Sequence, residues 1–193
     1  MTRTLRDEFA DFYERSYPEI VAQQVAISGS TASSHRAADT ALAQAWDAWE
    51  SLRESDDPLL RVRWSAVHVD SQESGTDARD FPDTGDPEDG IVLEALQILP
   101  AEQRQVLVLH YMAEAPVDAL AELGCAAADR IDALLDEGFT LLVESLVWSE
   151  EPPAEPDDPD PDDPDPRYTW TAEALADTAS RLVAAVRTPS RVN

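Results

Sequence analysis

The chain has 193 residues, enough for one large domain or two small ones. Its 43% of apolar residues suffices for packed cores, which excludes a wholly disordered protein. Forty acidic residues stand against fourteen basic ones, all arginine, and give a formal net charge of −26. Such a charge repels phosphate backbones and anionic lipids at long range. A solvated acidic surface would also explain the total, so the position of the charge along the chain matters more.

Several classes of protein are not expected. No apolar run approaches the ~20 residues that cross a bilayer, and the charged first ten residues do not resemble a signal peptide. We therefore expect a cytoplasmic protein that does not contact a membrane. Cys125 is the single cysteine, and the three histidines lack ligand spacing, so no metal or cofactor is predicted. No nucleophile–base arrangement or phosphate loop is recognisable, and we expect no enzyme.

Composition divides the chain into five segments. Two helical modules, 1–70 and 91–148, are separated by a linker at 71–90 that is rich in Gly, Pro, Ser and Asp. A spacer at 149–167 holds nine acids, one base and frequent prolines, so we expect it to be extended. The tail at 168–193 carries an amphipathic helix. The predicted fold class is all-α, with two small helical domains and a C-terminal tethered helix.

The sequence of the first module predicts three helices in chain order. Apolar residues recur near helical spacing in the first, the serines between 28 and 34 offer a cap for the second, and Asp57-Pro58 opens the third. Core packing is the expected role of Trp46 and Trp49, although Trp46 is also a candidate for contacting a partner. The apolar positions are Phe9, Phe12, Tyr13, Tyr17, Ile20 and Val21; Ala38, Leu42, Ala45, Trp46, Trp49 and Leu52; and Leu59, Leu60, Val62, Trp64 and Val67.

The second module predicts a helix-turn-helix. An apolar stripe begins at Ile91, and Pro100 introduces the next helix. Beyond Pro116, a short helix, a turn at Gly124 and a long helix follow one another, which is the helix-turn-helix order. The long helix is expected to place Ile131, Leu134, Leu135, Leu141, Leu142 and Leu146 in the core.

These segments resemble a known family. The run LEALQILPAEQRQVLVLHY at 93–111 and the AELG turn at 121–124 are similar to region four of sigma-70 family sigma factors, in the extracytoplasmic-function (ECF) group. The Leu-Pro-x-x-Gln-Arg-x-Val-Leu pattern at 99–107 is its most specific part. The first module is similar to region two in the order of Phe9, Tyr13, Tyr17, Pro18, Ala45, Trp46 and Pro58. The resemblance covers 5–148 and does not extend to 149–193.

The resemblance implies a protein of transcription initiation. Its expected partners are the RNA polymerase core, with promoter DNA and an anti-sigma or other regulatory protein as further candidates. Region two would bind the polymerase clamp and the single-stranded −10 element, and the last helix of region four would read the −35 element. In the clamp-binding stretch, 35–40, only Asp39 retains an acid.

The charge of the last helix opposes binding to the −35 element. Its buried positions match those of the family if the turn before it is one residue longer than in the family. The positions then expected to face outward are Asp132, Ala133, Asp136, Glu137, Phe139 and Val143. Arg130 is the single base nearby and is the candidate nucleic-acid contact of this module. Since cationic side chains normally make the phosphate contacts, we expect −35 recognition to be impaired. Asp132, Asp136 and Glu137 are instead candidate contacts for a protein partner.

Two interpretations stay open for the first module and for the tail. Arg61, Arg63 and Trp64 interleave cations with an aromatic ring, as in single-strand binding, although a buried Trp64 with two exposed arginines fits equally. The tail helix either folds back on the modules or docks on a partner, and Trp170, Leu175 and Leu182 are its candidate contacts.

Two alternative functions stay open. One is a sigma-derived protein–protein interaction module that no longer binds promoter DNA. The other is an acidic decoy that occupies a DNA- or sigma-binding surface and competes with nucleic acid for it.

Overall fold

The fold is helical, as the all-α prediction requires. The computed structural model describes residues 4–73, 79–146 and 166–187, with the backbone alone at 70–73 and 166. Within these ranges the single strand-like pairing is a bridge between Ser30 and Asp80. The helices are α1 (Leu5–Ser28), α2 (Thr31–Asp47), α3 (Trp49–Leu52), α4 (Pro58–Glu73), α5 (Pro87–Ile98), α6 (Ala101–Leu107), α7 (Val117–Glu122), α8 (Ala128–Ser145) and α9 (Pro166–Arg187), with a π-helical segment at Val108–Met112.

The chain divides into two compact units. The first comprises the described residues of Met1–Pro82 and Leu182–Asn193, and the second those of Asp83–Arg181, so the division falls inside α9. The predicted linker 71–90 differs from the structure at both ends, because α4 continues to Glu73 and α5 begins at Pro87. Most of the predicted spacer 149–167 lies outside the described residues, and its last two residues begin α9.

The first unit is built on α1, which packs against α2 and α4. A capping box begins α1, since the Thr4 hydroxyl accepts from the Asp7 amide and the Asp7 carboxylate accepts from the Thr4 amide. Gly29 ends α1 in the left-handed conformation, at a φ of 73°, and Ser30 caps α2. Asp80 pairs with this turn, because its amide donates to the Gly29 carbonyl and its own carbonyl accepts from the Thr31 hydroxyl.

One predicted helix is divided in two. The chain leaves helical geometry at Ala48, so α2 ends at Asp47 and the four residues of α3 follow. Trp46 lies on α2 before this break, and Trp49 follows it on α3. Trp49 is buried, whereas Trp46 is 44% exposed. The prediction that both tryptophans lie in the core was therefore wrong for Trp46.

The second unit places α8 against α5, α6 and α7. Gly124, at a φ of 78°, follows α7 in the predicted turn, and α8 begins at Ala128. The predicted core positions of α8 are buried except Leu141, which is exposed. A Cβ added at Gly138 would lie 3.1 Å from both the Gln103 Cβ and the Leu107 Cδ1, so glycine permits the close approach of α6.

This close approach gives a matched test of packing in the second unit. We expect Gly138→Ala to destabilise the protein by about 1–2 kcal/mol, because the added methyl group overpacks the contact with α6. Gly90→Ala is the control: that position is also helical, has open space around it, and should gain about 0.5–1 kcal/mol. Urea unfolding of both variants measures the difference. Equal stabilisation by the two alanines would contradict this account of Gly138.

Candidate interaction surfaces

A buried carboxylate holds α9 on the second unit. Asp89 lies in the first turn of α5 and is 1% exposed. The Thr178 hydroxyl donates to its Oδ1 at 2.7 Å, and Arg181 donates through Nε to Oδ2 at 2.8 Å and through Nη2 to Oδ1 at 2.7 Å. Bidentate arginine–carboxylate pairs of this kind are among the strongest side-chain hydrogen bonds. This part of α9 therefore folds back onto α5.

The surroundings of Asp89 keep it ionised. Burial alone would raise its pKa, but hydrogen bonds from Arg181, Thr84 and Thr178 and the charge of Arg181 outweigh burial and lower the pKa below its ordinary value. A carboxylate with a lowered pKa in the folded state stabilises that state above its unfolded pKa, about 4. The stabilisation is lost as the pH falls through the folded pKa.

The candidate contacts in the tail helix differ in exposure. Leu175 and Leu182 are fully buried, so neither side chain is available to a partner in this conformation. Trp170 is half-buried. Near the start of α9, the Tyr168 ring lies 5.5 Å from the Phe139 ring, and its hydroxyl is 3.3 Å from that of Thr140. Of the two alternatives for the tail, the structure has the fold-back, from Tyr168 to Arg181.

The outward face of α8 is acidic but narrower than predicted. Asp132, Asp136 and Glu137 are exposed, and the Glu137 carboxylate accepts from the Gln103 amide at 3.2 Å. The prediction that Phe139 and Val143 also face outward was wrong, since both are buried. Phe139 packs between the rings of Tyr111 and Tyr168, which explains why a position assigned to the DNA-facing side is covered.

Two of the predicted cationic contacts are engaged with carboxylates. Arg130 lies 3.3 Å from Glu102 in an exposed ion pair, a geometry that contributes little to stability. Arg63 is more enclosed, with 14% of its side chain exposed, and donates to Glu19 at 2.9 Å. The charge of Arg63 is thus balanced within the first unit.

The other members of the predicted single-strand site differ in accessibility. Arg61 is exposed, whereas Trp64 is half-buried and meets His68 edge to face at 4.3 Å. The structure therefore places one freely exposed cation, Arg61, on the same helix as a partly accessible ring. A stacking platform with cations on both sides of a ring is not formed in this arrangement.

An aromatic face on the first unit is open to solvent. Phe9 contacts Trp46 and Trp49 at 5.0 and 5.1 Å between ring centroids. Trp46 and Tyr13 are each more than a third exposed, and so is Leu5, which lies one helical turn before Phe9. A shallow pocket of about 480 Å³ lies between Arg6, Phe9, Tyr13 and Trp46. Contiguous exposed apolar surface commonly marks a protein-interaction site.

Asp39 belongs to a polar cluster close to this aromatic face. Its side chain is exposed, and the Tyr17 hydroxyl lies 2.9 Å from His35 Nδ1. Burial, the charge of Asp39, the neighbouring Tyr13 and a hydrogen bond with Asp39 raise the pKa of Tyr17 to about 12. Tyr17 therefore stays protonated at neutral pH and acts as a hydrogen-bonding group.

Sequence reasoning missed the most consequential polar residue. Asp89 fell within the segment assigned to the linker, where acids are expected to be solvated. The sequence Asp86-Pro87-Glu88-Asp89 carries a helix-start signal, a capping acid followed by proline and two first-turn acids. That signal identifies the start of α5, but it does not identify the partners of Asp89, which come from 89 and 92 positions later.

A comparison with models of known protein families finds no match to this chain, and a comparison with curated proteins finds none either. The similarity to sigma factors therefore stays a prediction from the residues that carry it. Among the described residues, no helix combines the length and apolar character needed to span a bilayer. Function has to be argued from the surfaces themselves.

Removing the charge of Asp89 should release α9. We expect Asp89→Asn to weaken docking by about 2 kcal/mol, because Arg181 loses its buried partner. Amide exchange across 166–181, followed by mass spectrometry, should then accelerate roughly 30-fold. In the wild type, the amides of 166–181 should lose protection below about pH 4, once their exchange rates are corrected for the intrinsic pH dependence of exchange. The Asp89→Asn variant should not show this loss, because it lacks the carboxylate that becomes protonated.

Asp177→Asn is the control for this test. Asp177 is 70% exposed and lies 3.8 Å from the same Arg181, so its loss should change exchange less than twofold. Unchanged protection of α9 in Asp89→Asn would contradict the role assigned to the buried carboxylate.

Proposed function

We propose that the chain is a sigma-factor-like protein of transcription initiation that binds the RNA polymerase core through its first unit and does not read the −35 element. The observation that carries the proposal is the surface of α8. This helix occupies the place of the −35-reading helix in the resemblance, yet it exposes Asp132, Asp136 and Glu137. A helix with this charge loses the phosphate contacts on which major-groove binding depends.

The aromatic face of the first unit supports polymerase binding. Trp46 and Tyr13 are exposed on helices that the resemblance assigns to region two, and Asp39 lies in the stretch expected to meet the clamp. Exposed aromatic side chains commonly dominate the affinity of protein interfaces. A protein that works with polymerase in this way belongs in the cytoplasm, and that location is part of the proposal.

The ion pair of Arg63 favours a second candidate function. Its ion pair with Glu19 removes one cation from the predicted single-strand site. A sigma-derived interaction module that binds proteins and has lost promoter DNA altogether is consistent with that pairing. The two functions differ in whether any promoter-dependent transcript is made.

The test begins with binding of the full-length protein to purified core polymerase. We expect Trp46→Ala to weaken binding at least tenfold, since an exposed aromatic side chain is removed from the proposed surface. Ile98→Ala is the matched control: it shortens an exposed apolar side chain on the second unit, where Ile98 is 67% exposed, and should leave binding unchanged. Biolayer interferometry measures both. Equal affinities of the two variants would contradict the proposed surface.

Transcription then separates the two functions. With core polymerase and a library of promoters, the proposed function predicts transcripts that vary less than twofold when the −35 sequence is randomised. Strong dependence on the −35 sequence would contradict the account of α8. Polymerase binding without any transcript would favour the interaction module.

A further inference from the structure

A pocket on the second unit combines aromatic rings with carboxylates. It has a volume of about 650 Å³ and lies between α8, the π-helical segment and the first two turns of α9. Its walls include Tyr111, Phe139 and Tyr168, together with Asp132 and Asp136. All five residues belong to the second unit.

The three rings form a continuous row. The centroids of Tyr111 and Phe139 are 4.9 Å apart with a tilt of 36°, and those of Phe139 and Tyr168 are 5.5 Å apart with a tilt of 32°. Phe139 is buried in the middle, whereas the two tyrosines are half-buried and border the pocket. Ring faces carry negative electrostatic potential, so such a wall attracts cations.

The two carboxylates lie one helical turn apart on the same side of α8. Both are exposed, and within the described part of the chain neither is seen in an ion pair. Burial, together with the charge of nearby Asp136, raises the pKa of the Tyr111 phenol. Like charges four residues apart on a helix are mutually destabilising, and a bound cation would relieve this repulsion.

We propose that this pocket binds an arginine side chain presented by a basic segment of a partner protein. A guanidinium group is planar, so it can stack on a tyrosine ring while its N–H groups donate to the carboxylates of Asp132 and Asp136. Lysine offers a compact, strongly hydrated charge and matches the ring wall less well. A phosphate group is repelled by the same carboxylates.

The proposed site goes beyond the proposed function, since arginine binding requires no polymerase. It also depends on α9, because Tyr168 contributes one ring of the wall. The site is therefore complete only when the first turn of α9 is docked on α8.

The test uses the full-length protein and three blocked nonapeptides that differ in one central residue: arginine, lysine or citrulline. Nuclear magnetic resonance titration at 150 mM salt reports both affinity and geometry. We expect the arginine peptide to bind at least fivefold more tightly than the lysine peptide and to show upfield shifts of its δ protons. Ring currents produce such shifts only when the side chain lies over an aromatic face. The uncharged citrulline peptide should not bind measurably.

Paired variants separate the pocket from the general acidity of the chain. Asp132→Asn with Asp136→Asn should weaken binding of the arginine peptide at least fivefold. The control, Asp118→Asn with Glu122→Gln, removes two exposed acids at the same spacing on α7 and should leave the affinity within twofold. Tyr168→Leu should reduce the upfield shifts, because Tyr111 then remains as the one tyrosine ring bordering the pocket, whereas Tyr168→Phe should retain them in full.

Three results would overturn the proposal: equal weakening by the two charge variants, equal binding of the lysine peptide, or peptide binding without upfield shifts. Sedimentation equilibrium adds a fourth. If the wild type self-associates and the double variant Asp132→Asn with Asp136→Asn does not, the pocket binds a second copy of this chain instead of a separate partner.

Discussion

The packing of the second unit depends on the pairing of one buried charge, the carboxylate of Asp89. Asp89 is held below the surface in the first turn of α5, where an unpaired carboxylate would cost several kcal/mol. Its partners, Thr178 and Arg181, come from the opposite end of this unit. Pairing them requires α9 to lie against α5, and the same helix brings Tyr168 onto Phe139. The acidic pocket on α8 exists because that ring completes its wall.

The acidic residues behind the net charge of −26 have different roles in different parts of the structure. Where an acid is enclosed, as at Asp89, it meets a cation and stabilises the fold. Arg63 and Arg130 likewise pair with acids of their own units, which reduces the positive charge available to a phosphate backbone. On α8 the exposed acids Asp132 and Asp136 stand beside aromatic rings. This combination favours a cationic partner, and it is why we place protein contacts ahead of DNA contacts for the second unit.

Local signals in the sequence predicted much of the fold. A serine cap for α2, the start of α4 at Pro58 and the buried positions Ile131, Leu134 and Leu142 follow from residue chemistry and periodicity within one helix. The misplaced residues depend on distant neighbours. Phe139 is covered by Tyr168, 29 positions later, and the break at Ala48 separates the exposed Trp46 from the buried Trp49. The spacing of apolar residues does not reveal a distant partner or a break in a helix. For the same reason, the sequence did not predict the pairing of Asp89 or the aromatic pocket.

As far as Arg181, α9 is docked on the second unit and completes the face of α8. Nuclear Overhauser contacts in the full-length protein test this docking most directly. We expect cross-peaks between the ring protons of Tyr168 and Phe139, and between the Thr178 methyl group and the first turn of α5. Random-coil shifts across 166–181, without either set of cross-peaks, would contradict it.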